Sequence, residues 1–351
     1  MNSFGTNIRV SIFGESHGPL IGITIDGLPA GMKLDLDFIN SELDKRRSKS
    51  NLTTPRQEKD TFEIVSGFLN EYTTGTPLTF LIKNNDVKSN DYDMYKLRPS
   101  HADYTAFSKY GGFQDYRGGG HFSGRLTALI VIIGAISRSI LLKKGIKVHS
   151  HILRLKDILD DKYSFDNISD KVVINKEVKE EMDKLVLETK EKSDSVGGVV
   201  ETIVLGVEAG YGEPFFDSIE SIISHLIFSI PGVKGVEFGA GFDISEMYGS
   251  EANDEFDFTD KLITKTNNSG GINGGISNGM PILIRSAFRP TPTIGKIQKS
   301  VNYKTKETIE IEGKGRHDPA IILRGYTVVN SIVAFGILEL ISRSEGTKWM
   351  L

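Results

Sequence analysis

The sequence contains no cysteine among its 351 residues. That absence excludes disulfides, thiolate metal sites and a cysteine nucleophile, and it fits a reducing compartment. An excess of positive charge is also lacking, because 42 Lys and Arg residues stand against 46 Asp and Glu residues, a formal net charge of -4. Nucleic-acid-binding proteins usually carry a basic surface, so we expect no nucleic-acid partner.

Long apolar runs and a targeting segment are missing as well. The longest apolar run, residues 126–136, lies between Arg125 and Arg138 and is far shorter than the roughly 20 residues needed to cross a bilayer. Residues 1–13 lack the charged and apolar regions of a signal peptide. We therefore expect a buried helix at 126–136, no membrane partner and a cytoplasmic location.

The pattern of apolar residues predicts a mixed fold. No Pro- or Ser-rich linker divides the chain, which favours one domain over residues 1–351. Strands are predicted at 8–13, 21–25, 61–66, 78–83, 199–207, 233–238 and 282–287. Helices are predicted from residue 36, at 123–144, around 178–185, at 219–229 and at 328–344, with a short helix after residue 103. Hairpin-like pairs outnumber strand-helix-strand units, so the prediction is an α+β fold with antiparallel sheets.

Four glycine-rich segments also contain ionisable or hydroxyl residues. They are residues 14–18, 115–125, 270–279 and 313–319. Glycine lets backbone N–H groups approach a ligand closely, and arginine matches the geometry of phosphate and carboxylate. The 115–125 segment leads into the predicted buried helix, whose N-terminus favours an anion that Arg117 and Arg125 would also bind. The alternative is a tight loop capped by Ser123, with both arginines facing solvent.

Four of the seven histidines lie in or near these segments. They are His17, His101, His121 and His317. A histidine near neutral pKa transfers protons, and such groups contribute about 100- to 10,000-fold to catalysis. The alternative for each is a hydrogen-bonded structural histidine. His149 and His151 lack a nearby carboxylate cluster in sequence, so we predict no metal site.

Five motifs, in the same order along the chain, resemble those of the chorismate synthase family. They are Phe-Gly-Glu-Ser-His-Gly at 13–18, Arg-Pro-Ser-His-Ala-Asp-Tyr at 98–104, the 115–125 segment, Gly-Gly-Ile-Ser-Asn-Gly at 274–279, and Gly-Arg-His-Asp-Pro at 315–319. The similarity runs from about residue 4 to the closing helix. The resemblance implies a homotetramer whose subunit is a single domain with helices sandwiched between antiparallel β-sheets.

The resemblance also implies an activity, the last step of the shikimate pathway of aromatic amino acid biosynthesis. Phosphate and a ring hydrogen would leave 5-enolpyruvylshikimate 3-phosphate by anti-1,4 elimination to give chorismate. Reduced FMN would lend electron density and recover it without net redox change, and NADPH would serve only indirectly, to reduce the flavin. Two alternatives stay open: a catalytically silent anion- or RNA-binding protein, and a flavin oxidoreductase that turns over a nicotinamide cofactor.

Roles follow from the resemblance, motif by motif. His17 would assist the departing phosphate, and His101 would set the protonation of the reduced flavin. Asp318 would lie near flavin N5, and Ser16 and Ser123 would relay protons. The substrate-binding set is Ser16, Arg46, Arg47 and Arg125. The FMN-binding set is His121, Phe122, Ser123, Pro231, Gly232, Gly274, Arg289, Pro290, Thr291, Pro292, Thr293 and Arg316.

The chain departs from the family pattern at several of these positions. Between residues 47 and 56 an apparent one-residue deletion leaves Lys49 or Asn51 where a further arginine is usual. His121-Phe122 stands where Arg-Ser is common, Pro231-Gly232 where Asn-Ala is common, and Arg289 where lysine is usual. On charge alone, Arg46 and Arg47 could also be a solvated cap at the end of the first helix.

Overall fold

A computed structural model describes residues 1–47, 52–53, 60–85, 92–163, 168–313 and 318–351. The helices are α1 (Leu36–Arg46), α2 (Asp103–Tyr110), α3 (Thr127–Lys143), α4 (Lys176–Glu191), α5 (Ile219–Phe228), α6 (Gly249–Ala252) and α7 (Ile322–Glu345). Short 3-10 turns precede α3 at Gly120–Phe122 and Gly124–Leu126.

The strands form two five-stranded sheets and several small hairpins. They are β1 (Ser3–Phe4), β2 (Arg9–Gly14), β3 (Leu20–Asp26), β4 (Phe62–Ser66), β5 (Phe68–Leu69), β6 (Tyr72–Thr73), β7 (Leu78–Lys83), β8 (Lys147–Leu155), β9 (Ile158–Leu159), β10 (Gly198–Leu205), β11 (Val233–Phe238), β12 (Phe256–Phe258), β13 (Leu262–Thr264), β14 (Ile272–Asn273), β15 (Ile276–Ser277), β16 (Ile282–Phe288), β17 (Ile297–Val301) and β18 (Thr308–Glu312). The first sheet has the order β1-β2-β3-β7-β4 and the second β11-β16-β10-β8-β9. Their neighbouring strands are antiparallel.

Two long apolar helices fill the space between the sheets. α3 contacts β3 of the first sheet, and α7 contacts β8 and β10 of the second. The two helices pack on each other closely because Gly134 has no side chain: a Cβ there would lie 2.2 Å from Ser331 Cβ. By length and composition Gly124–Lys143 and Ile322–Glu345 could cross a membrane, but their most apolar stretches are 78% and 94% buried, as in core helices.

A buried carboxylate in α7 fixes the start of the first sheet. Glu339 is fully buried and accepts hydrogen bonds from the backbone amides of Thr6, Asn7 and Ile8. Arg343 Nε donates to the same carboxylate at 3.1 Å. Three otherwise unpaired amides are therefore satisfied by one side chain more than 330 residues away in sequence.

The predicted α+β class with helices between antiparallel sheets is confirmed. One boundary was wrong, and one small hairpin was not predicted. The closing helix begins at Ile322 rather than 328, because Arg324 and Gly325 interrupt the apolar pattern of its first turns. The strands predicted at 61–66 and 78–83 do pair, but the small β5-β6 hairpin lies between them instead of a simple turn.

Candidate functional site

The turn between β2 and β3 carries the first motif. Gly18 N donates to the Glu15 carbonyl at 3.0 Å, which places Ser16 and His17 at the two corners of a four-residue turn. Ser16 Oγ lies 3.1 Å from His17 Nδ1, and both residues are buried. Ser16 N donates to the carbonyl of Gly120 at 3.0 Å, so this turn is tied directly to the second glycine-rich segment.

Gly118 and Tyr92 enclose the imidazole ring of His17. Gly118 has φ +63°, and a Cβ there would lie 2.3 Å from His17 Cε1, so only glycine fits. The Tyr92 ring lies edge-on to His17, with centroids 5.3 Å apart. Arg98 holds both neighbours: its Nη2 donates to the Gly118 carbonyl at 2.7 Å, and its guanidinium lies 5.2 Å from the Tyr92 ring centre.

The role of Arg98 was missed in the sequence analysis, although it begins the motif that contains His101. Its Nε and Nη2 donate to Asp103 at 2.8 and 2.6 Å, a two-pronged ion pair that fixes the guanidinium plane. Arg98 therefore connects the start of α2 to the wall of the His17 site.

His101 contacts the 289–293 segment, which was predicted to bind FMN. Its Nδ1 lies 3.0 Å from the Pro99 carbonyl and its Nε2 2.8 Å from Thr293 Oγ1. A carbonyl only accepts, so Nδ1 carries the proton and, in the neutral ring, Nε2 accepts from Thr293. Burial, reinforced by the positive charge of Arg98, lowers the pKa of His101 and favours this neutral form.

The 289–293 segment is anchored at three points. Arg289 N donates to the Gly232 carbonyl at 2.9 Å, and Arg289 Nη1 donates to the Ser100 carbonyl at 2.7 Å. The Thr291 carbonyl accepts from Ser195 Oγ at 2.7 Å. Two buried donors of this segment, Arg289 Nε and Thr291 Oγ1, have no hydrogen-bond partner among the described residues. Buried polar atoms of this kind are a reason to expect a ligand or water there.

Asp318 lies beside this segment. It is buried and accepts from Arg324 Nε at 3.0 Å and Nη2 at 2.5 Å. The next residue, Pro319, accepts from Val196 N at 2.8 Å. A Cβ at Gly232, where φ is +98°, would lie 2.9 Å from the Ile321 side chain. The sequence analysis missed Arg324. The only sequence feature that could have indicated it is its position in the first turn of a helix, six residues after Asp318.

Two of the predicted substrate arginines share one buried carboxylate. Arg46 Nη1 and Arg125 Nη1 both donate to Asp60, the former at 3.4 Å, and Arg46 Nη2 donates to the Arg125 carbonyl at 3.2 Å. Arg46 and Arg125 are only 5% and 7% exposed, so neither faces open solvent. The alternatives of a solvated cap for Arg46 and a solvent-facing Arg125 are therefore wrong.

The other arginines predicted for substrate or FMN are placed differently. Arg47 lies nearer the surface and donates to Asp44 Oδ1 at 2.5 Å. Arg316 lies outside the described residues, as do Lys49 and Asn51, so the structure describes no position for the expected extra arginine.

Asn84 was also missed, and no sequence motif indicates it. It directly follows β7, and its Nδ2 donates to the carbonyls of Glu15 and Gly18, each at 2.9 Å. Its Oδ1 accepts from Arg125 Nε at 3.1 Å. One amide thus links the His17 turn to a buried arginine.

The residues before α3 serve both as a loop and as a cap. His121 Nδ1 lies 2.8 Å from the Gly14 carbonyl and must donate to it, which leaves Nε2 as the acceptor in the neutral ring. Phe122 is 43% exposed and packs near Tyr110. Ser123 Oγ accepts from Arg125 N at 3.2 Å, so Ser123 caps the 3-10 turn before α3, as the alternative of a capped loop required.

Asp115 and Arg117 form an ion pair at the mouth of the same loop. Arg117 Nε and Nη2 donate to Asp115, each at 2.8 Å. The Arg117 hydrogen bond lowers the pKa of Asp115, so this carboxylate stays ionised beside the His17 turn. Arg117 is therefore partly neutralised before any ligand binds.

Gly274 lies elsewhere in the fold. Its β14-β15 hairpin packs on the stretch before α5, where Gly212 pairs with Ile276 and the Gly275 carbonyl accepts from Ile219 N at 3.0 Å. The hairpin lies at the start of β16, where Gly271 packs against Pro281, whereas residue 289 follows the other end of that strand. Seven residues of strand span about 20 Å, so Gly274 is not brought together with the 289–293 segment.

Within the described ranges, no group of three or more His, Asp or Glu residues is arranged to hold a metal ion. His149 pairs with Asp170 at 2.9 Å. His151, fully buried, lies 3.3 Å from Asp160 and 3.2 Å from Glu201.

Taken together, these contacts define an α+β protein in which two glycine-rich loops, buried arginines and two histidines converge. The model of the chorismate synthase family matches residues 8–341. A chorismate synthase of Methanobrevibacter smithii is 44% identical over 353 residues, covering 98% of this chain and 97% of the relative. That of Campylobacter concisus is 44% identical over 351 residues, covering 99% and 98%. A crystal structure of a chorismate synthase aligns with a TM-score of 0.77 at 28% identity, over 98% of this chain and 94% of that one. The chain belongs to the chorismate synthase family.

Proposed function

We propose that this chain converts 5-enolpyruvylshikimate 3-phosphate into chorismate by anti-1,4 elimination of phosphate and a ring hydrogen, with reduced FMN bound beside the substrate. The observation that carries the proposal is one continuous series of contacts: His17 lies on Gly118, Gly118 is held by Arg98, and the loop of Arg98 brings His101 onto Thr293. These contacts support a single site in which His17, implied for the phosphate, is linked to His101 and Thr293, implied for the flavin.

The residues present suit FMN. The phosphate and the ring edge of a flavin accept hydrogen bonds, and the buried Arg289 Nε and Thr291 Oγ1 are donors without a partner among the described residues. Gly232 lies under the same segment, where its lack of a side chain leaves room against Ile321. When bound, reduced FMN would supply transient electron density to the substrate and take it back.

Phosphate departure is assigned to the His17 side of the site. A phosphate leaving group is stabilised by positive charge and by a proton donor. Arg46 and Arg125 supply the charge, and one carboxylate, Asp60, holds both guanidiniums in place. His17 is held between Gly118 and Tyr92 with Ser16 on Nδ1, and we assign its ring as the proton donor to the departing phosphate.

Proton control is assigned to the other side. Neutral His101 accepts from Thr293 at Nε2, and proton uptake at that atom would require the Thr293 hydroxyl to turn away. Asp318, which is paired with Arg324, is assigned as the acceptor for a proton leaving the flavin side. The Ser16 and Ser123 hydroxyls would relay protons.

Phosphate release from the enolpyruvyl substrate under anaerobic conditions tests the proposal. With reduced FMN we expect release and chorismate formation in equal amounts. With oxidised FMN, or without flavin, we expect neither. Equal rates with and without flavin would reject the proposal, and nicotinamide oxidation without phosphate release would favour the oxidoreductase alternative.

Histidine variants refine the assignment. His17→Ala and His101→Ala should each lower turnover by about 100-fold or more, the usual contribution of a positioned acid-base group. His225→Ala is the matched control, because His225 is exposed and its ring packs on Phe4, away from the His17 turn. If both site variants turned over like the control, the assigned proton roles would be wrong.

The remaining expectations concern organisation. A single catalytic domain is supported by one buried core that includes residues from Ile8 to Met350. Homotetramer formation is supported by a group of exposed aromatic side chains, which typically mark interfaces between chains. They are Phe215, Phe216, Phe242, Tyr248, Phe256 and Phe258. Sedimentation of the purified chain would test the assembly, and cell fractionation the proposed cytoplasmic location.

A further inference from the structure

We infer that Asn84 is a positioning residue that fixes the His17 turn relative to Arg125. The inference deepens the proposed function and rests on it for the meaning of the two groups it connects. Asn84 follows the last residue of β7, and its own backbone N donates to the Pro19 carbonyl at 3.1 Å. The side chain is therefore held at the end of the first sheet where the His17 turn leads into β3.

The hydrogen-bonding capacity of an amide is fully used at this position. Nδ2 has two N–H donors, and two carbonyls, those of Glu15 and Gly18, each lie 2.9 Å from it. Oδ1 is an acceptor, and Arg125 Nε lies 3.1 Å from it. Carbonyls only accept and guanidiniums only donate, so the orientation of the amide is determined by its partners.

The two carbonyls are the ends of the turn that holds Ser16 and His17. Gly18 N donates to the Glu15 carbonyl across that turn, and Asn84 bonds both ends from outside. On its other side, Arg125 is bound to the Asp60 carboxylate that also holds Arg46. Asn84 is thus the bridge between the proposed proton donor and the two proposed phosphate-binding cations.

Such a bridge matters because catalysis depends on the mutual position of reacting groups. A displacement of about 1 Å at a reacting group costs about 100-fold in rate. Without the amide, the turn and the arginine pair would each remain folded, but their positions relative to one another would no longer be fixed. We therefore expect a loss of turnover rather than a loss of flavin binding, since the 289–293 segment bonds to Ser100 and His101, whereas the Asn84 amide bonds to the His17 turn and Arg125.

Two variants separate this role from others. Asn84→Asp keeps the shape and the acceptor for Arg125 but replaces both donors by an oxygen that faces two carbonyls. Asn84→Leu removes all three hydrogen bonds without adding charge. Asn85→Asp is the matched control, since the neighbouring residue is exposed and receives the same new charge.

Three measurements are made on each full-length variant: turnover with reduced FMN, the dissociation constant of FMN, and hydrogen exchange of the peptide covering residues 12–20. Both Asn84 variants should lose about 100-fold in turnover, while FMN affinity stays within about twofold of wild type. Exchange of the 12–20 peptide should rise in both. The control should match wild type in all three.

Each other outcome has a meaning. Turnover of both Asn84 variants at the control level overturns the inference, and so does a joint loss of folding and FMN binding, which would make Asn84 a fold residue. If wild type itself lacks flavin-dependent phosphate release, the proposed function fails, and hydrogen exchange alone then decides the inference. Faster exchange at 12–20 would keep Asn84 as the anchor of the turn, and unchanged exchange would reject it.

Discussion

Gly118 faces the ring of His17 so closely that a Cβ at residue 118 would lie 2.3 Å from His17 Cε1 and 2.4 Å from Nδ1. Gly118→Ala must therefore displace either the ring or the loop, and its φ of +63° adds a left-handed strain of about 1–2 kcal/mol. We expect turnover to fall by about 100-fold, because the proposed proton donor moves. Steady-state phosphate release measures the effect.

Gly124→Ala is the control for this variant. Gly124 lies in the same loop, but a Cβ there would meet nothing within 4 Å. It should keep near-normal turnover. Equal activity of the two variants would show that turnover does not depend on the close packing of Gly118 against the His17 ring.

The pH dependence of stability should reveal His101. Burial, together with the Arg98 charge, lowers its pKa in the folded chain, whereas the unfolded chain titrates near its ordinary value of about 6.5. Just below that pH the unfolded chain binds more protons, so the folded state loses stability as the pH falls. Between about pH 7 and pH 5 the Tm of wild type should fall relative to that of His101→Gln. Parallel Tm curves would contradict the lowered pKa.

Replacement of Glu339 tests the anchoring of the first strands. Glu339→Gln would turn an amide donor toward the backbone N–H groups of Thr6, Asn7 and Ile8, leaving buried donors unsatisfied. We expect the free energy of unfolding to drop by about 3 kcal/mol. Urea denaturation measures this, with Glu188→Gln on the surface of α4 as the control, expected within about 0.5 kcal/mol of wild type.

The contact of α3 with α7 is equally sensitive to one methyl group. At Gly134 a Cβ would lie 2.2 Å from Ser331 Cβ and 2.4 Å from Ser331 Cα. Gly134→Ala should cost about 3 kcal/mol by overpacking. Adding Ser331→Gly should recover part of that loss, since the two positions share one space. Gly249→Ala, which meets nothing within 4 Å, should change stability little. If the stability changes of Gly134→Ala and Ser331→Gly simply added in the double variant, the close packing of these two residues would be contradicted.

The sequence was sufficient to predict elements with a strong local period. The apolar helix now seen as α3 and the alternating strand β10 follow from residue spacing alone. The small β5-β6 hairpin has no such pattern, because each of its strands has two residues and is formed by the turn.

The site was predictable only as separate motifs. Local sequence motifs indicate Ser16, His17 and the 289–293 segment. No local motif predicts that His101 contacts Thr293, which lies 192 residues further along the chain. Asn84 and Asp60 were missed because single polar residues are common in loops. Their importance comes from partners that only the folded chain brings near.

The distance in sequence between Glu339 and the strand it caps has a consequence for biosynthesis. A ribosome releases the N-terminus first, and domains generally fold as their residues emerge. Here residues 6–8 receive their acceptor only when position 339 is made, almost at the end of the chain. Nascent polypeptides that stop before α7 should therefore expose an uncapped first sheet, and a chaperone would be expected to hold them until translation is complete.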